Sequence, residues 1–221
     1  MLWYKAWLET RLRFLFLAAL MLAACVLFVR PLHPARDPGG EAARLVRLLY
    51  FAEWPMLALV LAGAGINTQT LSGTRHAIHP SMYFTLSLPV RRRRLVAVRA
   101  AVGALETLAL VLVGCFAGWT LSPLLRAIVA PAEMLVYVFT AAAGASLAYG
   151  LGVLLATFLD ESWQIYAGAA ALAPLWLLQT HVPGLAPPPF GEVRWMALAF
   201  SAGGGAVLVA AAAWCAERKQ Y

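Results

Sequence analysis

Thr85-Leu86-Ser87-Leu88-Pro89-Val90-Arg91-Arg92-Arg93-Arg94 lies between two apolar segments, each long enough to cross a bilayer. Four consecutive arginines are very costly in hydrocarbon, and basic loops between spans stay on the cytoplasmic side. The block therefore orients the helices on either side of it. It also marks the loop it closes as the part of a membrane protein that meets the cytoplasm.

The composition points the same way. The chain has 221 residues, of which 62% are hydrophobic and 12% charged, and its mean hydropathy is +0.76. A soluble domain is nearer half apolar and a quarter charged. The net charge of +7 then reads as topogenic and lipid-facing, not as a nucleic-acid footprint. Cys25, Cys115 and Cys215 are far apart, odd in number and set in apolar segments, so they imply neither a metal site nor a disulfide framework. Leu22-Ala23-Ala24-Cys25 has the form of a lipoprotein processing box, but the apolar run continues through Val29. The segment is therefore read as an uncleaved span.

About six apolar segments approach spanning length: residues 14–29, 48–66, 95 to about 121, 134–159, 165–178 and 195–214. The fifth is short and contains Pro174. The expected fold is all-α, a single transmembrane domain over residues 1–221. Basic residues set its orientation. Lys5, Arg11, Arg13, Arg75, Arg91 to Arg94, Arg99, Arg218 and Lys219 fall on one side, against Arg30, Arg36, Arg44, Arg47, Arg126 and Arg194 on the other. The bias places both termini in the cytoplasm, which requires an even number of spans.

Two stretches carry more than topology. Trp3, Tyr4, Trp7, Leu8 and Arg11 share one helical stripe, which suits an interfacial helix over residues 1–13 with its rings at headgroup level. The longest inner connection covers residues 67–94. Within it, Ser81 is a credible N-cap after Pro80 for a short helix containing Met82, Tyr83, Phe84 and Leu86. These side chains are too apolar to stand in water and need a membrane surface, a helix or a partner to rest on.

With these residues the chain resembles a permease subunit of the ABC-2-type ATP-binding-cassette transporters. The likeness rests on the opening Trp3-Tyr4-Lys5-Ala6-Trp7-Leu8-Glu9-Thr10-Arg11, on Gly73-Thr74 followed by Leu86-Ser87-Leu88-Pro89-Val90-Arg91-Arg92-Arg93, and on the re-entry Val98-Arg99-Ala100. In layout it covers nearly the whole chain. The resemblance implies an N-terminal elbow helix, six spans, and a coupling helix between spans 2 and 3 that docks on a separate ATPase subunit. His79, Ser81, Met82, Tyr83, Phe84 and Leu86 would then form the docking surface. Trp3, Tyr4, Trp7 and Arg91, Arg92, Arg93 and Arg94 would anchor the chain at the membrane surface. ATP and Mg would bind the partner ATPase, and this chain would hold no cofactor of its own. A second permease copy or a related subunit would complete the path, in a bacterial inner membrane.

No phosphate-binding Gly-x-x-x-x-Gly-Lys-Ser/Thr loop occurs, so any ATP is hydrolysed elsewhere. Gly144-Ala145-Ser146-Leu147 is a poor match to a serine-nucleophile motif, and no His-Glu-x-x-His metalloprotease pattern is present. Alanines and glycines from Ala141 to Gly152 read as helix packing. The intramembrane polar candidates are Glu53, Arg99 and Glu106. Arg99 and Glu106 lie two turns apart on one face, a spacing that a neighbouring helix can bridge. The competing expectation is an ATP-independent membrane protein, a small secondary carrier or an assembly factor.

Overall fold

The computed structural model describes residues 2–30, 54–62, 92–159, 161–182 and 193–218. Regular structure among them is helical throughout: α1 (Leu2–Ala24), α2 (Trp54–Ala62), α3 (Arg92–Leu121), α4 (Pro123–Ile128), α5 (Pro131–Ala156), α6 (Glu161–His181) and α7 (Trp195–Arg218). A π-helical turn, Cys25–Val29, extends α1. Four helices are long and apolar enough to cross a membrane: Leu2–Val29, Arg93–Leu121, Pro131–Ala156 and Trp195–Arg218. Large apolar side chains on their outer faces, among them Leu12, Phe16, Phe28, Phe139 and Val207, are exposed. In water such a surface would drive association; in a bilayer it faces lipid.

The N-terminus corrects one expectation. Residues 2–13 are not a separate elbow helix but the first three turns of α1, which runs unbroken into the span. No glycine or proline interrupts residues 2–29, and such a run of good helix formers gives the chain no reason to turn. At 28 residues the combined helix is about 42 Å long, enough for the hydrocarbon core and a headgroup layer.

Proline sets the break after α3. Ser122, which precedes Pro123, is pushed out of the helical region to φ −92, ψ 115. Its hydroxyl then caps α4 by accepting from the Leu125 amide at 3.3 Å. Ala130 leaves the helical region in the same way before Pro131, and its amide donates to Glu133 Oε2 at 2.9 Å. Trp119 Nε1 donates to the Val129 carbonyl at 3.0 Å and folds this connection back on α3.

The helices pack in two parallel pairs. α1 runs beside α3, with Ala6 against Val98 and Val102 and Cys25 Sγ 3.9 Å from the Gly114 carbonyl. α5 runs beside α7, and here the backbones touch. A Cβ on Gly150 would lie 2.5 Å from the Gly205 carbonyl oxygen, and one on Gly205 would lie 2.4 Å from that of Ser146. Ser146 Oγ donates to the Ala143 carbonyl at 2.7 Å and approaches the Ser201 carbonyl at 3.3 Å. These are the small-residue contacts by which helices associate in lipid. The start of α3 meets the end of α7 through Val96, Ala213 and Ala216, so the two pairs are antiparallel.

α2 is enclosed between them. Trp54, Ala58, Leu59, Leu61 and Ala62 are buried. Gly114 leaves room for the Trp54 ring, Gly152 for Leu59 and Ala62, and Gly168 for Leu59. Buried Gln164 on α6 donates to the Leu59 carbonyl at 3.2 Å. α6 is longer than the expected 165–178 segment. Its 21 residues reach about 32 Å, although both ends are polar.

Candidate functional site

The buried polar groups of α1 and α3 meet in one place. Successive residues of a helix project about 100° apart, so Glu9 and Thr10 both reach the α3 side of α1. Arg99 Nη2 donates to Glu9 Oε2 at 2.6 Å. The two side chains are only 7% and 12% exposed, so the ion pair is largely withdrawn from solvent. Lys5, one turn earlier, sits 3.8 Å from the other Glu9 oxygen. Two turns along α3, Glu106 pairs with the Thr10 hydroxyl, which also lies 3.2 Å from the Ala6 carbonyl. Glu106 is 3% exposed, and among the described residues its Oε2 has no hydrogen-bond partner.

α5 closes the third side. Tyr149 Oη donates to the Ala100 carbonyl at 2.8 Å. A Cβ on Gly103 would fall 2.4 Å from that oxygen, so glycine is what lets the ring in. Thr107 turns its hydroxyl back to the Gly103 carbonyl at 2.8 Å. Arg99 and Glu106 are thus bridged by two consecutive α1 residues, with Tyr149 wedged alongside. An ion pair and a carboxyl–hydroxyl contact at this depth act chiefly as connectors, because each charged group left alone in the membrane is expensive.

The other predicted positions divide sharply. Trp3, Tyr4, Trp7, Leu8 and Arg11, expected on one stripe, are all exposed on α1. Arg92 begins α3, and Arg93 and Arg94 are exposed in its first turn. His79, Ser81, Met82, Tyr83, Phe84 and Leu86, together with Arg91 and Glu53, lie outside the described residues. Ser146 is occupied in helix packing. The described histidine, His181, contacts the Leu177 carbonyl of its own helix. Among the described residues no three His, Cys, Asp or Glu side chains converge in a way that could hold a metal ion.

Glu9, Thr10 and Tyr149 are the site residues that sequence reasoning missed. Glu9 stands four residues after Lys5, the spacing of an ordinary solvated helix pair, and that masks its role. The usable signal was an acid, Glu9, on the side of α1 opposite the aromatic stripe. No family model, curated protein or solved structure matches the chain.

Proposed function

We propose that this chain is the membrane-spanning permease subunit of an ABC-2-type ATP-driven transporter, working with a second permease subunit and a separate ATPase. The observation that carries the proposal is the parallel course of α1 and α3. If both cross the membrane in the same direction, the chain between Arg30 and Arg92 crosses back, and α2 lies on that return. The same parity applies to α5 and α7, with α6 as the return. Six crossings follow, with both termini on one side of the membrane. Lys5, Arg11, Arg93, Arg94 and Arg218 gather on that side, against Arg30, Arg126 and Arg194 on the other, which favours a cytoplasmic assignment.

Residues 67–91 then form the cytoplasmic connection that leads directly into α3. A helix there, docked on the ATPase through His79, Ser81, Met82, Tyr83, Phe84 and Leu86, passes nucleotide-driven closure to α3. The Glu9–Arg99 and Thr10–Glu106 contacts carry the movement on to α1. Substrate passes between the two permease halves by alternating access, in the direction of export. Trp3, Tyr4 and Trp7 steady the cytoplasmic end of α1 at headgroup level.

The test is a cysteine scan over residues 79–86 of the full chain, co-expressed with a candidate ATP-binding-cassette ATPase subunit. Crosslinking from Ser81→Cys to that ATPase is expected. A scan without a crosslink at any position rejects the docking assignment. A purified complex without ATPase or ATP-dependent flux favours the ATP-independent carrier or assembly factor.

A further inference from the structure

We propose that Glu106 is a proton-binding site inside the membrane, a neutral carboxylic acid for as long as α1 and α3 stay packed. The contact between these helices carries two acids in unlike surroundings. Glu9 has Arg99 at 2.6 Å and Lys5 at 3.8 Å. Glu106 lies twelve residues beyond Arg94, about 18 Å along α3, which sets it deep in a span. It is 3% exposed, and its contact across the interface is the Thr10 hydroxyl, not a cation. A carboxylate withdrawn from water without a counter-charge is so costly that it takes up a proton instead.

The helices around Glu106 supply no such counter-charge. Among the described residues no ion pair reaches it: Lys5 and Arg99 are both on Glu9, and Arg13, three residues after Thr10, is engaged elsewhere. α2 has no ionisable side chain over Trp54–Ala62. α5 brings Tyr149, whose hydroxyl donates to the Ala100 carbonyl at 2.8 Å. α7 meets α3 through Val96, Ala213 and Ala216. The hydrogens also fit a neutral acid. Thr10 has one hydroxyl proton, and its oxygen lies 3.2 Å from the Ala6 carbonyl as well as against Glu106. With Glu106 protonated, its O–H donates to Thr10 and Thr10 donates to Ala6, so both protons have acceptors. Oε2, without a partner among the described residues, is then an uncharged carbonyl oxygen. With Glu106 ionised, the same oxygen shares a buried negative charge. Parting α1 from α3 exposes the carboxyl to water, where it ionises at neutral pH and gives its proton to solvent; repacking takes one up. This inference rests on the burial of Glu106 in α3 and is independent of the transport proposal.

The test is infrared spectroscopy of the full-length chain in phosphatidylcholine bilayers at neutral pH, with its glutamate carboxyls labelled with carbon-13. The expected signal is the label-shifted carbonyl stretch of an un-ionised carboxylic acid. Glu106→Gln is expected to abolish the part of that band due to this residue, and Glu53→Gln to leave that part in place. Thr10→Val keeps the acid but removes the acceptor of its proton, so the band is expected to move to higher wavenumber. An acid band that is absent from the wild type overturns the proposal. So does a band of equal intensity in Glu106→Gln, or one that does not move in Thr10→Val. Thr10→Val leaves Glu106 in place, so it carries the test even where Glu106→Gln impairs folding.

Discussion

Arg99→Met removes the charge from α3 while keeping an unbranched side chain of similar reach. Glu9 is then left at 12% side-chain exposure with Lys5 3.8 Å away. Breaking a buried ion pair by deleting one partner costs about 3–5 kcal/mol. Lys5 recovers part of this, which places the expected loss near 3 kcal/mol, close to the insertion cost of a single lone charge in a membrane helix. Adding Glu9→Gln removes the stranded charge, and Gln still has an amide to hydrogen-bond. The double variant is therefore expected to lie within about 1 kcal/mol of the wild type, since replacing both members of a buried pair is often nearly neutral. The assay is reversible unfolding of the full chain in mixed micelles by sodium dodecyl sulfate, followed by circular dichroism and arranged as a double-mutant cycle. Arg99→Met no less stable than the double variant would refute the reasoning, because Glu9 would then not depend on Arg99.

Two further perturbations separate the contacts in the same assay. Gly205→Ala places a Cβ 2.4 Å from the Ser146 carbonyl oxygen, whereas one at Gly203 meets nothing within 4 Å. Gly205→Ala is therefore expected to cost about 3 kcal/mol, at the upper end of overpacking, and Gly203→Ala to be neutral or to gain up to about 1 kcal/mol. Equal effects at the two positions would remove the close crossing of α5 and α7. Thr10→Val takes the described hydroxyl partner from Glu106 and is expected to cost about 1–3 kcal/mol. Thr10→Ser keeps the hydroxyl and loses a methyl group, about 0.8 kcal/mol, so a loss for Ser as large as for Val would show that the hydroxyl is not the relevant group.

The helices of the membrane core were legible because hydrocarbon imposes long apolar runs, but their ends were not. The expected first span began at residue 14, whereas α1 begins at Leu2. The expected last span stopped at residue 214, whereas α7 continues to Arg218, whose guanidinium stacks 3.8 Å above the Trp214 ring. An apolar run records the hydrocarbon thickness. The helix continues for as long as its backbone bonds are satisfied, with aromatic and cationic side chains at headgroup level. α6 hid its length for a related reason. Gln164 resembles a loop residue in sequence, yet it is 1% exposed and hydrogen-bonds the Leu59 carbonyl 105 positions away.

The polar site was half legible for the same physical reason. Helical periodicity places Arg99 and Glu106 on one face, because that relation is local. Their partners depend on which turn of α1 lies against which turn of α3, and that register arises from packing across about 90 residues of chain. The two helix pairs are joined by different chemistry. α5 and α7 meet through glycine backbones, with the Leu147 side chain packed on Gly204. α1 and α3 meet near their N-terminal ends through long, charged side chains, with a second cation already within 4 Å of Glu9. Glu9 therefore keeps a second cation, on its own helix, within reach of its carboxylate if Arg99 is withdrawn. Under the proposed mechanism, the polar pair is the link by which a pull on α3 reaches α1.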